Sequence, residues 1–206
     1  MSGKIYIVGN KVAIPDEEYV SKHESDNIIV FVGKMDYEPN IVAVIYFVTK
    51  ILSILQCKFP NLVFMIVGSC PSVKVRNLAD GKRIFVTGYV DSVEPYYQKA
   101  AIVVAPMLTG AGIQNKIIQA MAYGCCVVTT SVGAEGLNIV NNEIAICDSA
   151  EEVIRDISLL LDNHGLRKSM GRLARKYVID NLSSSIIERQ FWEFMADGER
   201  SHLMLK

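Results

Sequence analysis

Four short apolar runs, each closed by glycine or proline and followed by helix-length sequence, leave this chain few folds to choose from. Ile28-Ile29-Val30-Phe31-Val32 stops at Gly33, Leu62 to Val67 at Gly68, Ile84 to Thr87 at Gly88, and Ala101 to Ala105 at Pro106. Runs this uniformly apolar read as strands buried on both faces, as in a parallel sheet covered by helices. Helical sequence lies between them. Pro39-Asn40 opens a helix over Ile41 to Cys57, with the proline in the first turn, where its missing N–H costs little. Ser72 to Ala79 is a weak helix or a loop. Val93 to Lys99 follows Asp91, the expected N-cap. Cys126 to Thr129 and Glu143 to Cys147 add two strands. Ser149, with Glu151 and Glu152 behind it, caps a helix over Ala150 to Leu161. Two more helices follow, over Leu166 to Val178 and Ser184 to Phe194. Near the N-terminus, Lys4 to Val8 reads as a short strand and Ala13 to Asn27 as loop and linker. Strands recur about every 25 to 30 residues, the rhythm of right-handed βαβ units. The expectation is an α/β fold: a doubly wound, Rossmann-like parallel sheet with extra C-terminal helices.

Such sheets bind ligands at the carboxyl ends of their strands. Three loops stand there: Gly33-Lys34, Gly88-Tyr89 and Gly110-Ala111-Gly112. The last is the richest. A buried strand leads into it, and from Ile113 the apolar residues Ile113, Ile117, Ala120 and Met121 fall at helix spacing until Gly124 supplies a stop. Strand, glycine loop and helix together aim free backbone N–H groups and a helix dipole at an anion. An ordinary strand-to-helix turn has the same outline, so motif shape leaves both readings open.

The rest of the composition narrows the classes. The chain has 206 residues and 50% hydrophobic residues, ample for one α/β domain, and a net charge of −1. Near-neutrality removes any electrostatic case for nucleic acid. No apolar run approaches the ~20 residues of a membrane span, so no transmembrane segment is expected. Cys57, Cys70, Cys125, Cys126 and Cys147 have no CxxC spacing and sit mostly in apolar runs, as reduced thiols in a cytoplasmic setting would. His23, His164 and His202 lack metal-ligand spacing, and no metal is expected. A nicotinamide site is disfavoured, since no G-x-G-x-x-G follows the first strand. A phosphoacceptor domain is disfavoured by the lack of an acidic cluster at the strand ends.

Several segments, taken in order, resemble a known family. Phe31-Val32-Gly33-Lys34-Met35-Asp36-Tyr37-Glu38-Pro39-Asn40 resembles the opening of the C-terminal half of family-4 retaining glycosyltransferases with the GT-B fold. Thr87-Gly88-Tyr89-Val90-Asp91 is similar to that family's short strand and glycine turn. Pro106 through Ala122 follows a subgroup pattern, P-x-x-x-G-x-G-x-x-x-K-x-x-E-A-M-A. Val127 to Thr130 and Gly133-Ala134-Glu135-Gly136-Leu137 continue the match, which covers nearly all of Ile28 to Leu161.

The resemblance implies a nucleoside-diphosphate-sugar donor site and no cofactor. It places Lys34 and Lys116 on the donor diphosphate and the amides of Gly110, Ala111, Gly112 and Ile113 around it. Gly33, Gly88 and Tyr89 line the same site, and Gln119 meets the ribose. Without that pattern, Lys34 would be a solvated loop lysine and Lys116 a helix-surface lysine. Asp36 and Tyr37 would touch a ligand or cap a helix, and Glu135 would face the cleft. Three positions depart from the pattern. Gln119 stands where a glutamate is usual, Ala111 where the broader family is acidic, and Gln114 where an arginine is common. Gln119 keeps an acceptor oxygen but loses the charge.

The resemblance also divides the chain. Residues 1–27, in which Asn10-Lys11-Val12 resembles a domain-junction turn, form a junction segment. Residues 28–181 form the nucleotide-sugar-binding domain, and 182–206 a crossover helix and tail carrying Phe191, Trp192 and Phe194. A GT-B enzyme has a second, N-terminal domain of about two hundred residues, a domain-sized length. The expected partners are therefore that domain, a nucleotide sugar, and a glycan or lipid-linked acceptor. The full-length enzyme is expected in the cytoplasm, peripheral to the membrane, and the chain alone is expected to be inactive. The alternative is a degenerate, non-catalytic nucleotide-binding or scaffold domain.

Overall fold

The computed structural model describes residues 12–17, 20–21 and 25–189, together with Trp192 and Met195. Lys4 to Val8, Asn10, Lys11, Phe191 and Phe194 lie outside these. Six parallel strands form one sheet in the order β3-β2-β1-β4-β5-β6. They are β1 (Ile28–Val32), β2 (Val63–Val67), β3 (Ile84–Val86), β4 (Ile102–Ala105), β5 (Val127–Thr129) and β6 (Ala145–Ile146). This is the doubly wound Rossmann-like order, half of a GT-B fold. The chain reverses its direction of winding between β1 and β4, which pair through Ile29 with Ile102 and Val30 with Val103. In sheets of this kind the loops leaving two such strands run in opposite directions, and ligands bind in the crevice between them.

The first helical layer is one continuous helix, Glu38–Lys58. It comprises α1 (Glu38–Tyr46), a π-helical segment (Phe47–Leu52) and α2 (Ser53–Lys58). The π segment was not expected. Thr49 Oγ1 donates to Ile45 O at 2.8 Å, competing with the backbone for a carbonyl of the helix ladder. Phe47, Ile51, Leu52 and Leu55 are nevertheless fully buried, and Phe47 packs on Phe64 of β2 at a ring-centroid distance of 4.7 Å. By length and composition alone this helix could cross a membrane, its most apolar stretch having a mean hydropathy of 1.8, but a helix buried in a core meets the same measure. Here its apolar side covers the sheet.

The remaining helices are α3 (Val73–Arg76), α4 (Glu94–Lys99), α5 (Asn115–Ala122), α6 (Ala150–Asp162) and α7 (His164–Leu182). Ser149 and Glu152 form the expected reciprocal cap on α6. Asp91 does not cap α4; Ser92 Oγ, closer to the helix start, accepts the Glu94 N–H at 3.1 Å. Helix α5 starts at Asn115 rather than Ile113, because Gln114 is extended at φ −86°, ψ 101°. It stops as expected at Gly124, φ +70°. The Glu143 to Cys147 run pairs only at Ala145 and Ile146; Glu143 instead accepts the N–H groups of Val140 and Asn141.

Two arginines of α7 tie this framework together. Arg167 is fully buried, donates to Leu160 O and Leu161 O at 2.6 and 2.9 Å, and pairs with Asp26 just before β1. Arg175 donates to Ala122 O at the end of α5 and to Pro15 O and Glu17 in the N-terminal segment. Residues 15–17 are therefore held against the sheet's second helical layer. The Trp192 side chain is 67% exposed rather than packed on the sheet.

Candidate functional site

The β1 wall of the crevice begins with two glycines in backbone contact. Gly33 N–H donates to Val67 O at 3.0 Å, and a Cβ on Gly68 (φ +147°) would fall 1.8 Å from Gly33 O. Only glycine allows the loops after β1 and β2 to run this close. Asn40, buried in α1, donates through Nδ2 to Lys34 O at 2.9 Å and so fixes the lysine's backbone. The Lys34 side chain itself is 64% exposed and pairs with Asp36 at 3.2 Å.

The β4 wall is built differently. Gly110 (φ +137°) and Gly112 (φ +72°) hold conformations that other residues rarely adopt. A Cβ at Gly112 would meet nothing within 4 Å, so the loop is open on that side. Thr130 Oγ1 donates to Met107 O at 2.6 Å, and Thr129 Oγ1 to Ala105 O at 2.7 Å. These hydroxyls tie the loop after β5 to the loop after β4. Gly136 of that second loop faces Ile113, where a Cβ would come within 2.7 Å. Gln114 Nε2 donates to Gly112 O at 3.2 Å and its Oε1 accepts from Lys116 Nζ at 3.0 Å.

Lys116 is the unusual cation. Its Nζ lies 3.6 Å from Met107 Sδ and 5.7 Å above the Phe31 ring centroid. Among the described residues it forms no ion pair. Burial against these apolar neighbours lowers its pKa to about 8. A desolvated ammonium with only neutral partners gains when an anion arrives.

The two lysines thus lie on either side of the switch point, Lys34 in the loop after β1 and Lys116 in the first turn of α5. Other expected residues stand apart. Gly88 (φ +72°) and the Tyr89 side chain, 75% exposed, follow β3, the edge strand two places from β1. Gln119 lines a cavity of about 500 Å³ with Val12, Ala13, Pro15, Asn115, Ile118 and Tyr123. Its Oε1 accepts a long bond, 3.5 Å, from Tyr97 Oη. Glu135 does face the loop: its Oε2 accepts the Gly112 N–H at 2.8 Å. The threonine ties had no signal in the sequence beyond lying in the strand that continued the family pattern. Among the described residues, no three His, Cys, Asp or Glu side chains converge as metal ligands.

The six-stranded parallel sheet with its flanking helices is the Rossmann-like half of a GT-B fold. Residues 26–163 match the family of glycosyl transferases group 1, and the chain belongs to that family. It is 26% identical over 168 residues to an uncharacterized 44.6 kDa protein of the cps region in Klebsiella pneumoniae, covering 78% of this chain and 42% of that protein. It is 24% identical over 195 residues to a Campylobacter jejuni enzyme, covering 90% and 53%. That relative is a GalNAc-alpha-(1->4)-GalNAc-alpha-(1->3)-diNAcBac-PP-undecaprenol alpha-1,4-N-acetyl-D-galactosaminyltransferase. Among solved structures, an S. aureus TarM variant in complex with fondaparinux, alpha-GlcNAc-glycerol and UDP superposes with a TM-score of 0.76 at 20% identity. That match covers 94% of this chain and 40% of TarM. The chain spans about half the length of the curated relatives it matches.

Proposed function

We propose that this chain is the C-terminal, donor-binding half of a family-4 retaining glycosyltransferase. The full enzyme moves a hexose or related sugar from a nucleoside diphosphate to a glycan or lipid-linked acceptor. The observation that carries this reading is Lys116, a desolvated ammonium beside an open glycine loop at the switch point. The UDP held by TarM and the undecaprenol-linked acceptor in the Campylobacter enzyme's name favour it. On this reading Lys116, the loop amides and Lys34 offset the negative charge that grows on the leaving diphosphate as the sugar bond breaks. Such fixed donors in a restricted site stabilise a transition state more than water can. Gln119 meets the ribose from the cavity it lines. A second Rossmann-like domain supplies the acceptor side, so the 206-residue chain binds donor without transferring sugar. The enzyme works in the cytoplasm, peripheral to the membrane.

Calorimetric titration of the chain with UDP, GDP, ADP and their glucose esters tests the reading. Binding of at least one, lost in Lys116→Met, is the expected result. Absence of binding by all of them would favour the scaffold alternative, for which the uncharged Gln119 is the specific observation. Sugar transfer by the chain alone would overturn the division of labour.

A further inference from the structure

We infer that Glu135 is an internal competitor for the diphosphate: its carboxylate occupies the Gly112 amide that the ligand must use. This rests on the donor-site reading above. Three observations converge. Gly112 N–H donates to Glu135 Oε2 at 2.8 Å, a charge-assisted bond to the very loop that is open to an incoming anion. The loop carrying Glu135 is locked in place by groups other than Glu135. Thr130, Thr129 and the contact of Gly136 with Ile113 hold its flanks. Ser131 N–H and Oγ both donate to Asp148 Oδ1 at 2.8 Å, anchoring its start. The Glu135 side chain is itself exposed and can swing away without unmaking any of these contacts.

One amide hydrogen cannot serve a carboxylate and a phosphate oxygen at full strength, and the two anions repel. Donor binding therefore requires the Glu135 side chain to leave Gly112, and the measured affinity is lowered by the stability of that bond. The free domain keeps its phosphate loop in the left-handed shape that Gly112 needs, with a carboxylate standing in for the absent anion. The displaced carboxylate then becomes an acceptor at the edge of the site, free to receive hydroxyls of whatever the diphosphate carries.

The test uses the full chain, inorganic pyrophosphate and UDP as probes at pH 7.5, and calorimetry. Glu135→Gln and Glu135→Ala are each expected to bind pyrophosphate at least fivefold more tightly than wild type, and to melt slightly lower in the absence of ligand, because the bond to Gly112 is lost. Equal or weaker binding in both variants overturns the competitor. A Lys116→Met chain separates the two levels. If it loses binding while the Glu135 variants match wild type, the donor site stands and the competitor falls. If no variant, Glu135→Ala included, binds either probe, both fall together. A readout independent of affinity is the Gly112 amide proton in a 15N-labelled sample. It is expected to shift upfield in ligand-free Glu135→Ala, and to respond to pyrophosphate in wild type. An unmoved resonance in Glu135→Ala means the bond is not formed in solution and overturns the inference.

Discussion

Lys34 follows β1 and Lys116 opens α5 beyond β4, and the sequence pattern assigns them the same task, yet their surroundings differ in exposure and in partners. Lys34 is mostly in water and already has a carboxylate partner, Asp36, at 3.2 Å. Lys116 is desolvated by Met107 and Phe31 and, among the described residues, its oxygen acceptor is the Gln114 amide. A phosphate reaching Lys34 must displace Asp36 in high dielectric, where an ion pair contributes about 0–1 kcal/mol. A phosphate reaching Lys116 relieves a desolvation penalty already present in the free protein. On the donor-site reading proposed above, the crevice is therefore lopsided, with the β4 wall gripping the diphosphate and the β1 wall steering it.

The largest effect follows from that asymmetry. Lys116→Met should weaken UDP and pyrophosphate binding by ten- to hundredfold, the equivalent of a charged hydrogen bond of about 1.5–3 kcal/mol. The same variant should melt at an equal or higher temperature, because methionine suits the pocket of Met107 and Phe31 better than an ammonium does. A loss of binding accompanied by a lower melting point would mean that Lys116 is structural, and the comparison would break.

The pH dependence sharpens the same point. The fold holds the Lys116 pKa at about 8, below its ordinary value near 10.5. Between those values the unfolded chain carries a proton that the folded chain lacks. Stability contributed by this group therefore rises as pH climbs from about 8 toward 10.5, and its penalty is fully present below 8. Ligand binding has the opposite sign. A bound diphosphate favours the ammonium, so UDP affinity should be level below about pH 8 and fall above it. Phosphate ester oxygens ionise near pH 6, well clear of this window. Titration by calorimetry at pH 7, 8, 9 and 9.5 should show the fall in wild type and a flat profile in Lys116→Met.

How far these contrasts could be read in advance depends on the kind of information involved. Four of the six strands were legible because each is a short apolar run closed by glycine or proline, and two of the glycines have physical reasons: Gly68, after β2, for its close approach to Gly33, and Gly124, after α5, for its positive φ. The positions of Lys34 and Lys116 followed from the family pattern. Their unequal surroundings did not, because desolvation depends on Phe31 and Met107, distant in sequence and brought together by strand pairing. The same holds for Glu135, whose bond to Gly112 spans 23 residues. The π-helical segment, where the Thr49 hydroxyl also bonds Ile45 O, leaves the apolar spacing of the helix too little changed for periodicity to register.

Gln119 tests a different part of the cavity. It stands where a glutamate is usual in the family, and among the described residues its oxygen accepts a long bond, 3.5 Å, from Tyr97. Gln119→Glu restores a charged acceptor for ribose hydroxyls and should improve UDP affinity about fivefold, within the gain from a neutral to a charge-assisted bond. Pyrophosphate, which has no ribose, should not gain. Equal gains for both probes would place Gln119 at the phosphates and dissolve the distinction between cavity and crevice.

The smallest effect belongs to Lys34. Lys34→Ala should cost about twofold in UDP affinity at 0.15 M salt, in line with an exposed and already paired charge. Because that contribution is screened, the difference between wild type and variant should shrink as salt rises. The Lys116→Met deficit should persist, since a desolvated contact is screened far less. Asp36→Asn gives the reciprocal test: freeing Lys34 from its partner should raise UDP affinity at low salt and leave it unchanged at high salt. If Lys34→Ala instead abolished binding at all salt concentrations, Lys34 would have to be drawn out of water in the bound state. The two walls would then be equal once the donor is seated, and the lopsidedness would be a property of the empty crevice alone.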